Sequence, residues 1–409
     1  MFTSLQSVED PTINLLLIMI LIWVSGVVFR KLKQPPMLGE LLGGFVFGPS
    51  VLGVISPDAT IECLAELGVF FLMFYAGLET NPNSLKRMGK LAMLVGIGGF
   101  LLPFVAGFWL CVLVFGIDGM QAMFIGLALS ITAIAVNARI LNDLHLCEYQ
   151  VAPVIIGASI VDDVLSFAVF SSLIGLATGA SAGAFDAGAI IHIIFRLVLF
   201  FGITICIGLQ FYPRLSKYFS SRESMGFTFA LVVALVFGLI AEITGLHIIL
   251  GAYMAGLFVK EGIVNKDLMR KINDRFVSIT YGFLGPIFFV SLSFHMTLDI
   301  FSTHLSMIMV VLLVAIVGKL IGAGIGARMG GLNTKETALV AISMNGRGAV
   351  ELIIASVGIE LGIINDVYFS ILVVMAFITT LIPPVAMGAL LNRYGYGGLQ
   401  KLDNDDGPC

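Results

Sequence analysis

The chain has 409 residues, 58% of them hydrophobic and only 12% charged, with a mean hydropathy of +1.04. Soluble domains carry roughly 25% charged residues, so a water-soluble fold is excluded. The net charge of −4 hides a segregation of basic residues that says more than the sum.

A hydrocarbon core about 30 Å thick is crossed by ~20 apolar residues of helix. Thirteen such runs stand between polar breaks, near 12–29, 37–55, 61–79, 90–115, 121–141, 150–178, 188–211, 226–244, 246–259, 278–296, 306–328, 335–357 and 366–390. The chain opens without a basic n-region or a small-residue cleavage site, so the first run is expected to be retained as a helix. Cationic residues fall in alternate loops: Arg30, Lys31 and Lys33, then Lys86, Arg87 and Lys90, then Arg139, then Arg214, Lys217 and Arg222. They continue with Lys260, Lys266, Arg270, Lys271 and Arg275, then Arg328 and Lys335, and finally Arg393 and Lys401. Basic loops face the cytoplasm, which predicts a multi-pass protein of the cell (inner) membrane with its N-terminus outside and its C-terminus in the cytoplasm. Residues 1–395 make a transmembrane domain and 396–409 a short cytoplasmic tail. The basic loops are ordinary topology markers, and no nucleic-acid partner or cofactor is implied. Forty-six glycines in apolar runs fit helices that pack closely. Cys63, Cys111, Cys147, Cys206 and Cys409 are scattered without CxxC or His-flanked spacing, so neither a disulfide framework nor a metal site is indicated.

Parts of the chain repeat. Leu42–Gly48 resembles Leu250–Gly256, Leu67–Phe71 resembles Leu284–Phe288, and Ala128–Thr132 weakly matches Ala341–Asn345. The second, third and fifth segments thereby pair with the ninth, tenth and twelfth. The displacement is an odd number of spans, so the two copies run oppositely across the bilayer, the inverted-topology arrangement of many secondary transporters. Such repeats place a substrate site near the midplane, where discontinuous helices meet. The run Ser343-Met344-Asn345-Gly346-Arg347-Gly348 is a natural helix break. Its partner Leu129–Asn137 has no internal Gly or Pro, so a break there rests on polar side chains and the repeat alone.

The sixth segment carries Asp162 and Asp163 near its centre. One Asp at a helix centre costs roughly 2.5–3.5 kcal/mol on insertion scales, and adjacent anions raise one another's pKa. Neighbouring positions lie about 100° apart around a helix, so one carboxylate can face a fixed cation and the other an aqueous cavity. Lys319 sits midway along the eleventh segment, beyond comfortable snorkelling reach of either interface, and needs a counter-ion. One Asp pairing with Lys319 leaves the other to alternate between a proton and a metal cation, although a purely structural ion pair remains an alternative. Arg347 and Glu351, four apart, share a helix face and read as a structural or gating pair. Thr132 and Asn345, at matching repeat positions, offer neutral oxygen ligands that hard cations favour or ordinary interhelical hydrogen bonds. Glu40, Glu66, Glu79 and Glu242 are expected in solvated or capping roles near helix ends, and His192 with Arg196 in interfacial anchoring.

The Gly-Ala-Ser-x-x-Asp-Asp-Val setting of Asp162-Asp163, Lys319 after Gly318, the Thr132…Ala138-Arg139 stretch and Arg347-Gly348 before Glu351 together resemble the monovalent cation:proton antiporter 2 family. The resemblance covers essentially the whole membrane chain, is close to bacterial Na+/H+ antiporters and is related to Kef-type K+/H+ transporters. It implies thirteen helices in a dimerisation and a core subdomain interleaved in sequence, with two unwound helices crossing near Asp163. It also implies a homodimer in the lipid bilayer and electrogenic exchange of Na+ (or Li+ or K+) for H+ by alternating access, without enzymatic activity. In that family the counterpart of Asp163 carries cation and proton, and that of Asp162 partners the lysine. The transported cation would then be met by Asp163, Asp162 and Thr132. Ala133 stands where relatives often have Ser, Asp or Pro, and with a short acidic tail a Kef-type nucleotide-binding domain is expected to be absent. A Kef-like K+/H+ antiporter and a bile-acid-type organic anion symporter are the rivals. An intramembrane aspartyl protease would need a Gly-x-Gly-Asp motif that is absent, and a channel would need a filter segment.

Overall fold

The computed structural model describes residues 11–32, 34–79, 89–178, 199–200, 202–204, 206–207, 223–244, 246–262 and 266–401. In chain order its principal helices are α1 (Pro11–Lys31), α2 (Pro36–Phe47), α3 (Ala59–Glu79), α4 (Lys90–Phe115), α5 (Gly119–Ala128), α6 (Ile134–Asp143), α7 (Val151–Thr178), α8 (Glu223–Ile243) and α9 (Ile248–Gly262). They continue as α10 (Lys266–Ile279), α11 (Gly285–Leu292), α12 (Leu305–Met329), α13 (Thr334–Ser343), α14 (Ala349–Glu360) and α15 (Asp366–Tyr394). Among the described residues eight helices are long and apolar enough to cross a bilayer, and α2, α5 and the Ile248–Val259 stretch of α9 are shorter apolar helices. The all-helical membrane architecture read from hydropathy is therefore present. The seventh segment, with His192 and Arg196, lies largely outside the described residues.

Where the boundaries differ, proline and charge explain them. The second segment was expected to run to 55, but α2 stops at Phe47. Pro49 has no N–H to donate, and the chain folds back so that the amides of Val54 and Ile55 both bond the Phe47 carbonyl at 2.9 Å. The tenth segment was expected to start at 278, whereas helix begins at Lys266, because charged residues end an apolar window without ending a helix. α10 joins α11 through a π-turn at Thr280–Leu284, two residues before Pro286. Cys147 is disulfide-bonded. That corrects the reading of the cysteines, since pairing depends on proximity in space and the spacing along the chain hides it.

The chain divides into two compact units that alternate in sequence, Met1–Pro82 with Ile174–Met296, and Asn83–Leu173 with Thr297–Cys409. In the first, α3 lies directly on α9: a methyl at Gly77 would collide with the Tyr253 carbonyl, and one at Gly256 with that of Phe74. Glu40 of α2 is buried here, 5% exposed, against the expectation of a solvated role. Glu66, Glu79 and Glu242 are exposed.

In the second unit α4 and α12 are zipped along their length. Gly318, Gly322 and Gly326 recur every four residues on one face of α12, and a methyl at any of them would strike the α4 backbone at Pro103, Gly98 or Leu94. Small residues at this spacing let transmembrane backbones approach closely. At one end of this unit the segment after α15 is strapped down: Lys335 Nζ donates to the carbonyls of Tyr394, Gly395 and Gly397. Glu336 Oε1 accepts from Gln400 N at 2.9 Å, and Asn333 Nδ2 donates to Gly398 O at 2.8 Å.

Candidate functional site

Both predicted breaks are present, and they lie against one another within the second unit. α5 ends at Ala128 and α6 begins at Ile134; α13 ends at Ser343 and α14 begins at Ala349. A helix end deep in a membrane leaves backbone groups that water cannot reach, and here each break satisfies the other. Ala133 N donates to Gly346 O at 2.9 Å, and Thr132 Oγ1 donates to Met344 O at 3.1 Å. The approach is close enough that a Cβ at Gly348 would lie 2.6 Å from the Ala133 Cβ. The alanine that lacks a ligand oxygen is thus also the side chain that fits the contact.

Arg347 closes the remaining gap. Its Nη1 donates to the carbonyls of Ala128 (2.7 Å) and Ile131 (2.8 Å), and its Nη2 to that of Leu129 (2.5 Å). The carbonyls of Ala128 and Leu129 are the negative end of α5, where a cation is favourable, and that of Ile131 lies in the break itself. Arg347 and Glu351 are both 0% exposed, with Nη1 3.7 Å from Oε2. The expected pair is therefore adjacent, but the guanidinium spends its hydrogen bonds on the backbone. Thr380 of α15 fixes the same residue from behind, donating to the Arg347 carbonyl at 3.2 Å.

On the other side of the breaks, Lys319 of the zipped helix α12 meets α7. Its Nζ lies 3.2 Å from both Asp162 oxygens and 2.6 Å from Thr132 Oγ1, to which it donates. Lys319 and Asp162 are 0% exposed. Such a pair is held only where extra hydrogen bonds complete it, and Thr132 supplies one. The hydroxyl of Thr132 thus spends its proton on Met344 and accepts from Lys319. Asp163, one step and about 100° further round α7, is also buried. Asn345 joins neither Lys319 nor the aspartates: its Nδ2 donates to Ala341 O at 3.2 Å, and its buried Oδ1 accepts no hydrogen bond from the described residues.

A second polar cluster carries residues to which the sequence assigned no role. Asn137 Nδ2 donates to Ser159 Oγ at 3.0 Å and its Oδ1 accepts from Ser343 Oγ at 2.9 Å, all three being buried. One amide therefore ties α6, α7 and the end of α13 together. The available signal was spacing: Ser159 precedes Asp163 by one helical turn, and Asn137 follows Ala133 by one turn.

The pattern of the family described as sodium/hydrogen exchanger, transmembrane, matches residues 15–393. The chain is 32% identical over 381 residues to the Na+/H+-K+ antiporter GerN of Bacillus cereus, covering 92% of this chain and 94% of GerN. It is 31% identical over 397 residues to the Na+/H+ antiporter NhaS4 of a Synechocystis strain, covering 90% and 94%. Among solved structures it is similar to the sodium proton antiporter MjNhaP1 of Methanocaldococcus jannaschii, with a TM-score of 0.69 at 19% identity, covering 93% of this chain and 97% of that one; this likeness concerns the fold. A sequence match over nearly its whole length, with two broken helices meeting at a buried lysine–aspartate pair, places this chain in the sodium/hydrogen exchanger family.

Proposed function

We propose that this protein is a secondary antiporter that exchanges Na+, or another small monovalent cation, for protons by alternating access. The observation that carries the reading is the Lys319–Asp162 pair at the meeting point of two interrupted helices, with Asp163 next to it. In this reading Asp163 binds the cation or the proton in turn, with neutral oxygens drawn from Asn345 and the broken backbone. A cation arriving at the aspartates competes with Lys319 for Asp162. A buried lysine that loses its counter-ion gives up its proton, so two sites can release protons against one cation and the exchange is electrogenic. Thr132, engaged at both ends of its hydroxyl, acts less as a ligand than as the link by which Lys319 senses the unwound stretch.

The same reading places the protein in the cell membrane as a homodimer, with an outer N-terminus and a cytoplasmic C-terminus. An inverted repeat would account for the two breaks falling in paired segments. K+ is the second candidate cation, since GerN, to which the chain is similar, is a Na+/H+-K+ antiporter.

The test is collapse of an imposed pH gradient in proteoliposomes on adding Na+, Li+ or K+, with voltage clamped by valinomycin where K+ is not the substrate. Cation-dependent proton movement is expected with wild type and not with Asp163→Asn. Wild-type rates in that variant would remove Asp163 from the mechanism, and silence of the wild type with all three cations would remove the antiport reading. Because protons occupy the same carboxylate, the apparent affinity for the cation should fall as pH falls.

A further inference from the structure

Glu351 stands in the first turn of α14, immediately past the break, and is fully buried. No group among the described residues hydrogen-bonds either of its oxygens. Arg347 lies beside it, but 3.7 Å is too long for a hydrogen bond. The guanidinium points its two terminal nitrogens at backbone carbonyls, while its Nε–H also has no hydrogen-bond partner among the described residues. A spare donor and two spare acceptors therefore sit side by side without joining. An ionised carboxylate next to a guanidinium normally closes into short, charge-assisted bonds, and a neutral acid is under no such pull. Yet the surroundings also suit the anion: the N-terminus of α14 is the positive end of a helix, with Arg347 one turn away.

The neighbours leave little else to titrate. From α12 Lys319 acts on Glu351 electrostatically, and from α7 Asp162 acts on Arg347. α5 carries no charged residue, and α15 carries charge only at Asp366 and Arg393, near its two ends. Between those ends, its polar group at this site is the hydroxyl of Thr380 on the Arg347 carbonyl.

We infer that Glu351 takes up and releases a proton in each transport cycle, as a protonatable carboxyl additional to Asp162 and Asp163. On release, the O–H electron pair stays on the carboxylate and the proton passes to water. The carboxylate then takes the Nε–H of Arg347 and competes with the carbonyls of Ala128, Leu129 and Ile131 for the guanidinium. Loosening that grip frees the 129–133 stretch that carries Thr132, so the charge on Glu351 is transmitted to the lysine site. The inference rests on the antiport reading and extends it.

Glu351→Gln keeps the volume and removes the acid. In proteoliposomes, the apparent KM for Na+ measured from mildly acidic to alkaline pH should lose one proton-linked step relative to wild type, giving a shallower profile. Infrared difference spectra of the full-length protein in lipid should lose one protonated-carboxyl band that the wild type gains on acidification. An unchanged profile and an unchanged band would overturn the inference, as would a uniform loss of rate with the band intact, which is what a structural strut predicts. If Glu351→Gln does not fold, Glu351→Asp decides: the acid remains in a shifted setting, so a displaced midpoint supports the inference and a midpoint at the wild-type pH overturns it. Failure of the wild type to exchange any cation would sink the antiport reading instead, which keeps the two failures apart.

Discussion

Arg347 has two jobs, and a double substitution separates them. A hydrogen bond to a charged donor contributes about 1.5–3 kcal/mol, and Arg347 makes three with backbone carbonyls. Removing one partner of a buried pair costs about 3–5 kcal/mol, so Arg347→Met should lower the unfolding temperature sharply in detergent. Were the arginine there only to neutralise Glu351, the double variant Arg347→Met with Glu351→Leu would recover, as apolar replacements of buried pairs often do. We expect it to stay destabilised, because the end of α5 remains uncapped; recovery to the wild-type temperature would refute the capping role. Lys319→Ala leaves Asp162 buried without a cation and should likewise reduce stability, with exchange losing its voltage dependence before its rate. These charges were legible in the sequence because a charge in an apolar run has to be explained. Their partners were less so: that Arg347 would prefer three carbonyls to a carboxylate four residues away depends on where another helix ends. Asn137, Ser159 and Ser343 are neutral, inexpensive to bury once bonded, and raised no alarm.

Among the helices, the α4–α12 contact is demanding of sequence. A side chain at Gly322 meets the Gly98 carbonyl, and one at Gly318 would place its Cβ 3.0 Å from the Pro103 Cα. Backbone cannot move aside as a side-chain tip can. Gly322→Leu should therefore separate the two helices and displace Lys319 from Asp162, abolishing exchange and shortening the lifetime of the purified protein at elevated temperature. Gly324→Leu, where the nearest heavy atom to an added Cβ is 3.7 Å away, is the control expected to be far milder; equal damage from both would show that the ladder is not what holds the helices. The interruption at 343–349 was legible because two glycines and an arginine interrupt an apolar helix. The one at 128–134 has no Gly or Pro to mark it, and only its polar side chains and its pairing with the other break pointed to it. The early stop of α2 was missed because hydropathy continues through Val51–Ile55 whereas the hydrogen-bond ladder fails at Pro49.

For the molecule as a whole, alternation of basic loops predicts which end of each helix faces the cytoplasm, and α12 offers a direct test. Asp299 and Arg328 are exposed near its opposite ends. In a background without Cys63 and Cys206, Asp299→Cys should react with a membrane-impermeant thiol reagent from outside intact cells, and Arg328→Cys only after the membrane is opened. The reverse order would invert the topology. The division into two sequence-interleaved units could not be read from periodicity, which shows that a helix is apolar but not which helices it will choose. The strap at the end of α15 carries a mechanical consequence. Residues 395–400 are fastened to Asn333, Lys335 and Glu336, at the very start of α13, and α13 is ten residues of continuous helix leading straight to the break. Tension applied to the chain after residue 401 would therefore not dissipate in a loose tail; it would be delivered along a short stiff rod to Met344, whose carbonyl holds Thr132, so that a tug on the tail is felt at the lysine.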